Sequence, residues 1–155
     1  MAIKRTSGKD DFLKAMTLRW QNIQKAIIAR LAHIGEQCLA EARKNHLYLN
    51  QTGNLCSSIN YCITYKGRII QAGEWRNTSQ GRGGKKDGQA GIDEGRNFLQ
   101  EVASKQPFDE ISFVMVAGMP YAQYVEAMSL NVLDSSERMA EQKIKDMLQK
   151  MFTKK

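Results

Sequence analysis

Apolar residues between Asp10 and Asn45 recur at steps of three and four: Leu13, Met16, Trp20, Ile23, Ile27, Leu31, Ile34, Cys38 and Ala42. That period puts them on one face of a long amphipathic helix. Asp10 and Asp11 suit its electropositive start, and Gly35 within it marks a candidate bend. After a turn, Thr52 to Ile59 predicts one or two helical turns, with Thr52 and Asn54 as capping residues and Leu55 and Ile59 on one face. The pattern then changes to alternation. Tyr61, Ile63 and Tyr65 share one face, Cys62 and Thr64 the other, and Lys66-Gly67 provides a two-residue turn. Arg68 to Gly73 returns, with Ile63 opposite Ile70 and Tyr61 opposite Ala72, which makes a β-hairpin.

From Glu74 to Gly91 apolar residues almost vanish, and Gly, Lys, Arg, Asn, Ser and Gln replace them. This predicts an exposed, flexible basic loop. A short helix from about Ile92 to Ser104 carries Phe98, Leu99 and Val102. Ile111 to Ala117 is apolar on both faces, the pattern of a central strand. Pro120 fits the first position of another short helix, with Tyr121, Tyr124 and Val125 on one side. Leu130 to Leu133 reads as a last short strand. Asp134 and Glu137 resemble a capping box for a final helix with the stripe Ala140, Ile144, Met147, Leu148, Met151 and Phe152.

Strands and helices do not alternate regularly. The expected class is α+β: a small, mainly antiparallel sheet with long N- and C-terminal helices packed on one face. The 155 residues make a single domain, with residues 1–9 a loose polar lead. A chain of this size buries enough surface to fold without disulfides or metal.

Lys and Arg outnumber Asp and Glu by 23 to 16, a net charge of +7. Such a balance attracts polyanions or an acidic protein surface without choosing between them. Cys38, Cys56 and Cys62 are odd in number and form no CxxC pair, which argues for a reducing compartment and against a zinc site. The N-terminus shows no apolar h-region of a secretory signal. The most apolar stretch, Ile23 to Leu31, is broken by Lys25 and Arg30, so it predicts no membrane span.

Catalytic patterns are not found. Gly81 to Gly88 superficially resembles a phosphate loop, but Ser79 stands where its first glycine is needed and Lys86 where its Ser/Thr is needed. The loop reads as a solvated segment or as one whose Arg76, Arg82, Lys85 and Lys86 contact nucleic acid or a partner. His33 and His46 lie thirteen positions apart with no cysteine or carboxylate at metal-ligand spacing. Ser57 and Ser58 lie in no nucleophile elbow, and Cys56 has no base in sequence. Tyr61, Tyr65, Tyr121 and Tyr124 could stack bases, yet no basic residue interleaves with Tyr121 and Tyr124, and packing explains them better. No cofactor, metal or catalytic residue is expected.

Two segments carry a likeness. Thr52, Gly53, Leu55, Ser58 and Ile59 match a "T-G-x-L-x-x-S-I" element, and Tyr121, Ala122, Tyr124, Val125 and Glu126 a "Y-A-x-Y-V-E" element. In this order they resemble the gene-product-ten-like phage tail-component family of head–tail connector and tail-completion proteins. Where members often continue with Phe-Gly-Thr, this chain has Ala127-Met128-Ser129. The resemblance implies a non-enzymatic virion protein of the head–tail junction, assembled in the bacterial host cytoplasm. It would form a homo-oligomeric ring that docks with portal, neck or tail-tube proteins and could contact DNA. On that view Glu126 has either solvent or an arginine of a neighbouring copy as partner. The rival expectation is a small basic nucleic-acid-binding protein or an RNA-acting toxin.

Overall fold

The computed structural model describes residues 8–78 and 88–153. Among these described residues five helices and three strands follow in order: α1 (Gly8–Lys44), α2 (Asn54–Ser57), β1 (Ile59–Tyr65), β2 (Arg68–Ala72), α3 (Gln89–Ser104), β3 (Ser112–Ala117), α4 (Ala122–Ala127) and α5 (Asp134–Phe152). The sheet is antiparallel throughout, in the order β2-β1-β3. The class is α+β, with the two long helices packed together on one face, as the pattern predicted.

The central strand is β1, not the segment from Ile111 to Ala117. All of β1 but Tyr65 is buried, because helices cover both faces of it. Ile59, Tyr61 and Ile63, opposite Ala117, Met115 and Phe113 of β3, belong to the core beneath α1 and α5. Cys62, with Val114 and Val116, faces Leu99 and Ala103 of α3. β3 reads as apolar on both faces because it lies between the same two layers, although it sits at the sheet edge.

The hairpin turn is Lys66-Gly67, with φ of 53° and 69°. Positive φ at both positions is the turn that matches strand twist. Its register differs from the expected one. Cys62 opposes Ala72 and Ile63 opposes Gln71, and an irregularity between Ile63 and Thr64 shifts the ladder. An extra residue on one strand does this, and side-chain alternation alone does not reveal it.

Gly35 lies inside an uninterrupted helix. A Cβ there would collide with the Tyr61 ring, so the missing side chain lets the buried Tyr61 ring lie against a continuous helix. The Tyr61 hydroxyl is within hydrogen-bonding reach of the Glu36 carboxylate at 2.9 Å and the Ala32 carbonyl at 3.0 Å.

α5 runs back along α1. Ser136 Oγ donates to the Cys38 carbonyl at 2.9 Å near one end, and Met147 and Met151 lie beside Ala29 to Ile34 near the other. From Leu31 onward the α1 stripe is buried. From residue 8 to residue 22 every position is exposed, including Leu13, Met16 and Trp20, along with Phe12 and Leu18. At about 1.5 Å per residue, roughly 20 Å of amphipathic helix extends with its apolar face uncovered. The α5 stripe divides likewise: Ala140 and Met147 are buried, whereas Leu148 and Phe152 are exposed. No described helix is long and apolar enough to cross a membrane.

Candidate functional site

The two likeness-bearing segments meet in space. Ile59 pairs with Ala117, the Gly118 amide donates to the Ser58 carbonyl at 3.2 Å, and Leu55, Ile59 and Ala122 belong to one core cluster. Gly53 takes φ 75°, the left-handed turn into α2 that favours glycine. The Asn54 amide donates to Thr52 Oγ1 at 3.3 Å, and Ser58 Oγ donates to the Leu55 carbonyl at 2.8 Å. Leu55 and Ile59 anchor this turn in the core, and Ala122 does the same for α4.

Pro120 lies in the turn before α4 rather than at its first position, and Tyr121 flanks the helix start. Tyr121 and Tyr124 do not form a buried stripe with Val125. Tyr124 is 70% exposed and Tyr121 42%, while Val125 packs against the core. Tyr61 is buried and Tyr65 is tied to Gln24 by a 2.7 Å hydrogen bond, so the four tyrosines form no common platform.

Glu126 has a partner within its own chain. Its Oε2 accepts the Val132 amide at 2.6 Å and the Leu133 amide at 2.8 Å, and Oε1 accepts Asp134 at 3.3 Å. These are orphan amides around the start of α5, where a negative charge is favourable. The arrangement corrects two expectations at once. Leu130 to Leu133 forms no strand, since the carboxylate takes amides that a ladder would need, and Ser129 and Asn131 have positive φ. Asp134 and Glu137 form no capping box either. The cap comes from Glu126, eight residues upstream of Asp134, and from Asn131, whose Oδ1 accepts the Ser135 amide at 3.0 Å. A cap supplied across a loop has no fixed sequence spacing, which is why sequence reasoning missed it.

The segment predicted as loop from Glu74 to Gly91 has fixed ends. The Thr78 amide donates to Ser57 Oγ at 2.9 Å, Thr78 Oγ1 donates to the Gly53 carbonyl at 3.2 Å, and the Gly88 amide donates to Asn77 Oδ1 at 2.9 Å. Trp75 packs against the α3 side of the sheet with Arg96 over its ring, and α3 begins at Gln89. Of the expected contact residues, Arg76 lies in the fixed part and is exposed. Arg82, Lys85 and Lys86 lie outside the described residues.

Several described titratable groups are buried or held in internal hydrogen bonds. Cys56 is buried and hydrogen-bonded to the Tyr48 hydroxyl at 2.9 Å. Burial pushes its thiol up, and burial together with the Cys56 contact pushes the Tyr48 phenol well above its ordinary range. Burial also raises Cys38, and it raises Cys62 to about 11. A protonated, enclosed thiol is a poor nucleophile. His33 contacts Gln37 at 3.0 Å, while His46 donates from Nδ1 to the Tyr48 carbonyl at 3.0 Å and stacks on the Tyr48 ring. Among the described residues, no three His, Cys, Asp or Glu side chains are placed to hold a metal.

Comparison with protein-family models, curated proteins and solved structures finds no match for this chain.

Proposed function

We propose that the chain is a structural component of a tailed-phage virion. It acts at the head–tail junction or in tail completion by joining copies of itself into a ring that docks with portal, neck or tail-tube proteins. The reading rests on the resemblance carried by Thr52 to Ile59 and Tyr121 to Glu126. One structural observation supports it above others: the open apolar face of α1 from Phe12 to Trp20. Such a face on a soluble chain marks an interaction site. Burying each of Phe12, Met16 and Trp20 is worth about 1.5–3 kcal/mol.

The occupant we assign is a second copy of this chain. The open face continues the stripe that α5 covers further along α1, so the contact already made within one chain could extend to the next. Leu148 and Phe152 of α5 and Tyr124 and Met128 near α4 offer other exposed apolar surface. A ring needs two different surfaces, one meeting the other on the next copy.

This role is non-enzymatic and belongs to the virion, with assembly in the host cytoplasm. Co-expression with portal, neck and tail-tube proteins should let the chain co-purify with at least one of them. Tyr124→Asp should leave a folded monomer that no longer enters the assembly. A wild-type chain that never co-purifies with such partners, or a nuclease activity abolished by changing one Tyr, His or Arg, would overturn the proposal.

A further inference from the structure

A second surface differs in character from the apolar one. A cavity of about 870 Å³ opens between the end of α1, the segment that follows it, α2 and the strand exit after β2. Arg43, His46, Asn50, Arg76, Asn77 and Thr78 are among its lining residues, and among the described residues none that lines it is acidic.

Arg43 comes from the last turn of α1. Its Nη2 donates to the Ile59 carbonyl at 3.0 Å, which fixes the guanidinium at the cavity wall. Its Nε is buried without a partner among the described residues. Arg76 reaches the same cavity from the segment after β2, and among the described residues it has one ion pair, a solvent-exposed one with Glu74 at 3.2 Å. An exposed pair of that kind holds its arginine weakly. Burial and then the like charge of Arg76 push Arg43 down from its ordinary range, while Glu36 and Glu74 act the other way. Glu74 offsets part of the positive charge that Arg43 and Arg76 bring to the cavity wall, and an anion in the cavity would offset the rest.

We infer that this cavity is a phosphate-binding site, in which Arg43 and Arg76 hold the phosphoryl oxygens and Asn50, Asn77 and Thr78 border the group. Paired guanidiniums are matched to oxyanions by their planar N–H forks. The number of polar lining groups exceeds what the two oxygens of a carboxylate require, which favours phosphate over an acidic side chain. The inference stands apart from the ring proposal, because the cavity lies away from the open face of α1.

The test is titration of the full chain with inorganic phosphate, followed by calorimetry in chloride buffer at constant ionic strength. A short single-stranded DNA oligonucleotide and a glutamate-rich peptide are titrated in parallel. Arg76→Gln should weaken phosphate binding roughly tenfold, the loss expected for one charge-assisted contact. Arg76→Lys should lose less. Lys14→Gln, the same charge change on the exposed part of α1, should leave binding unchanged. Circular dichroism checks that each variant remains folded. If both phosphate and the oligonucleotide bind and compete, the natural source is a nucleic-acid strand; if phosphate alone binds, the source is a free phosphate. The inference fails if phosphate does not bind, if only the peptide binds, or if Lys14→Gln weakens binding as much as Arg76→Gln does.

Discussion

The two halves of α1 carry one hydrophobic period and meet two different fates. Leu31, Ile34, Cys38 and Ala42 are buried against the sheet and α5. Leu13, Met16 and Trp20, on the same face, extend into solvent. A period of three and four fixes which face is apolar; it does not state what covers that face. Coverage depends on where the other elements end. α5 starts beside Cys38, runs back along α1, and stops before it reaches the first half. The second half of α1 is therefore part of the domain, and the first half is available for contact. Substitutions should separate the two by their effect on the free chain.

The largest effect belongs to the covered half. Tyr61→Ala removes the ring that lies on Gly35 and the hydroxyl contact to Glu36, and it opens a cavity under α1. The expected loss is about 3–5 kcal/mol, read from urea unfolding. A loss below about 1 kcal/mol would mean that the sheet does not rest on α1 as described.

Next comes the carboxylate that joins α4 to α5. Glu126→Ala leaves the amides of Val132 and Leu133 without their acceptor and should cost about 2–3 kcal/mol. Glu126→Gln keeps one acceptor oxygen and should recover roughly half of that. If Glu126 instead served only a neighbouring copy, neither variant would change the stability of the monomer. Glu126 is thus a likeness residue whose visible role is internal, whereas Tyr124, two positions earlier, is exposed.

Alkaline pH gives a smaller effect in the same covered region. Cys38, Cys56 and Cys62 all have raised thiol values when folded, Cys62 from 9.0 to about 11. The unfolded chain gives up these protons first. For Cys62 the stabilisation is therefore complete below about pH 8 and is lost as pH rises from 9.0 toward about 11, and Cys38 and Cys56 act in the same direction. At pH 10 the expected loss is about 1 kcal/mol for Cys62. Thiol labelling at pH 8 should likewise be slow until denaturant is added. Fast labelling of the native chain would show that the sheet core is open.

The sequence carried the elements well and their surroundings less well. Local periods place α1, the β1–β2 hairpin with its Lys66-Gly67 turn, α3, β3 and α5, because each period follows from backbone geometry. Three features escaped it for one reason: each depends on a distant partner. Gly35 is small because Tyr61 lies on it. Leu130 to Leu133 is irregular because Glu126 takes its amides. Arg43 and Arg76, thirty-three positions apart in sequence, face one cavity because the sheet brings the end of α1 beside the exit of β2. Of the basic residues expected to contact a partner, only Arg76 proved to border that cavity among the described residues.

The smallest effect on the free chain should have the greatest consequence for assembly. Replacing Phe12, Met16 and Trp20 together by Ser removes the apolar face of the exposed half of α1. None of the three is buried, so each should shift monomer stability by no more than about 0.5 kcal/mol. The helix itself should persist from residue 23 onward and fray before it, because serine forms helix less readily and short unsupported helices are marginal in water. A ring seam built on this face would lose several large apolar contacts at every interface. Sedimentation of co-expressed wild-type and neck proteins, compared with the triple variant, measures the difference. Assembly by the wild type and none by the variant, at equal monomer stability, assigns the face to a neighbouring copy. Equal assembly by both moves the seam to Tyr124, Met128 or the end of α5. A triple variant that unfolds as readily as Tyr61→Ala would show that the first half of α1 folds back onto its own domain, and the contrast between the two halves would be wrong.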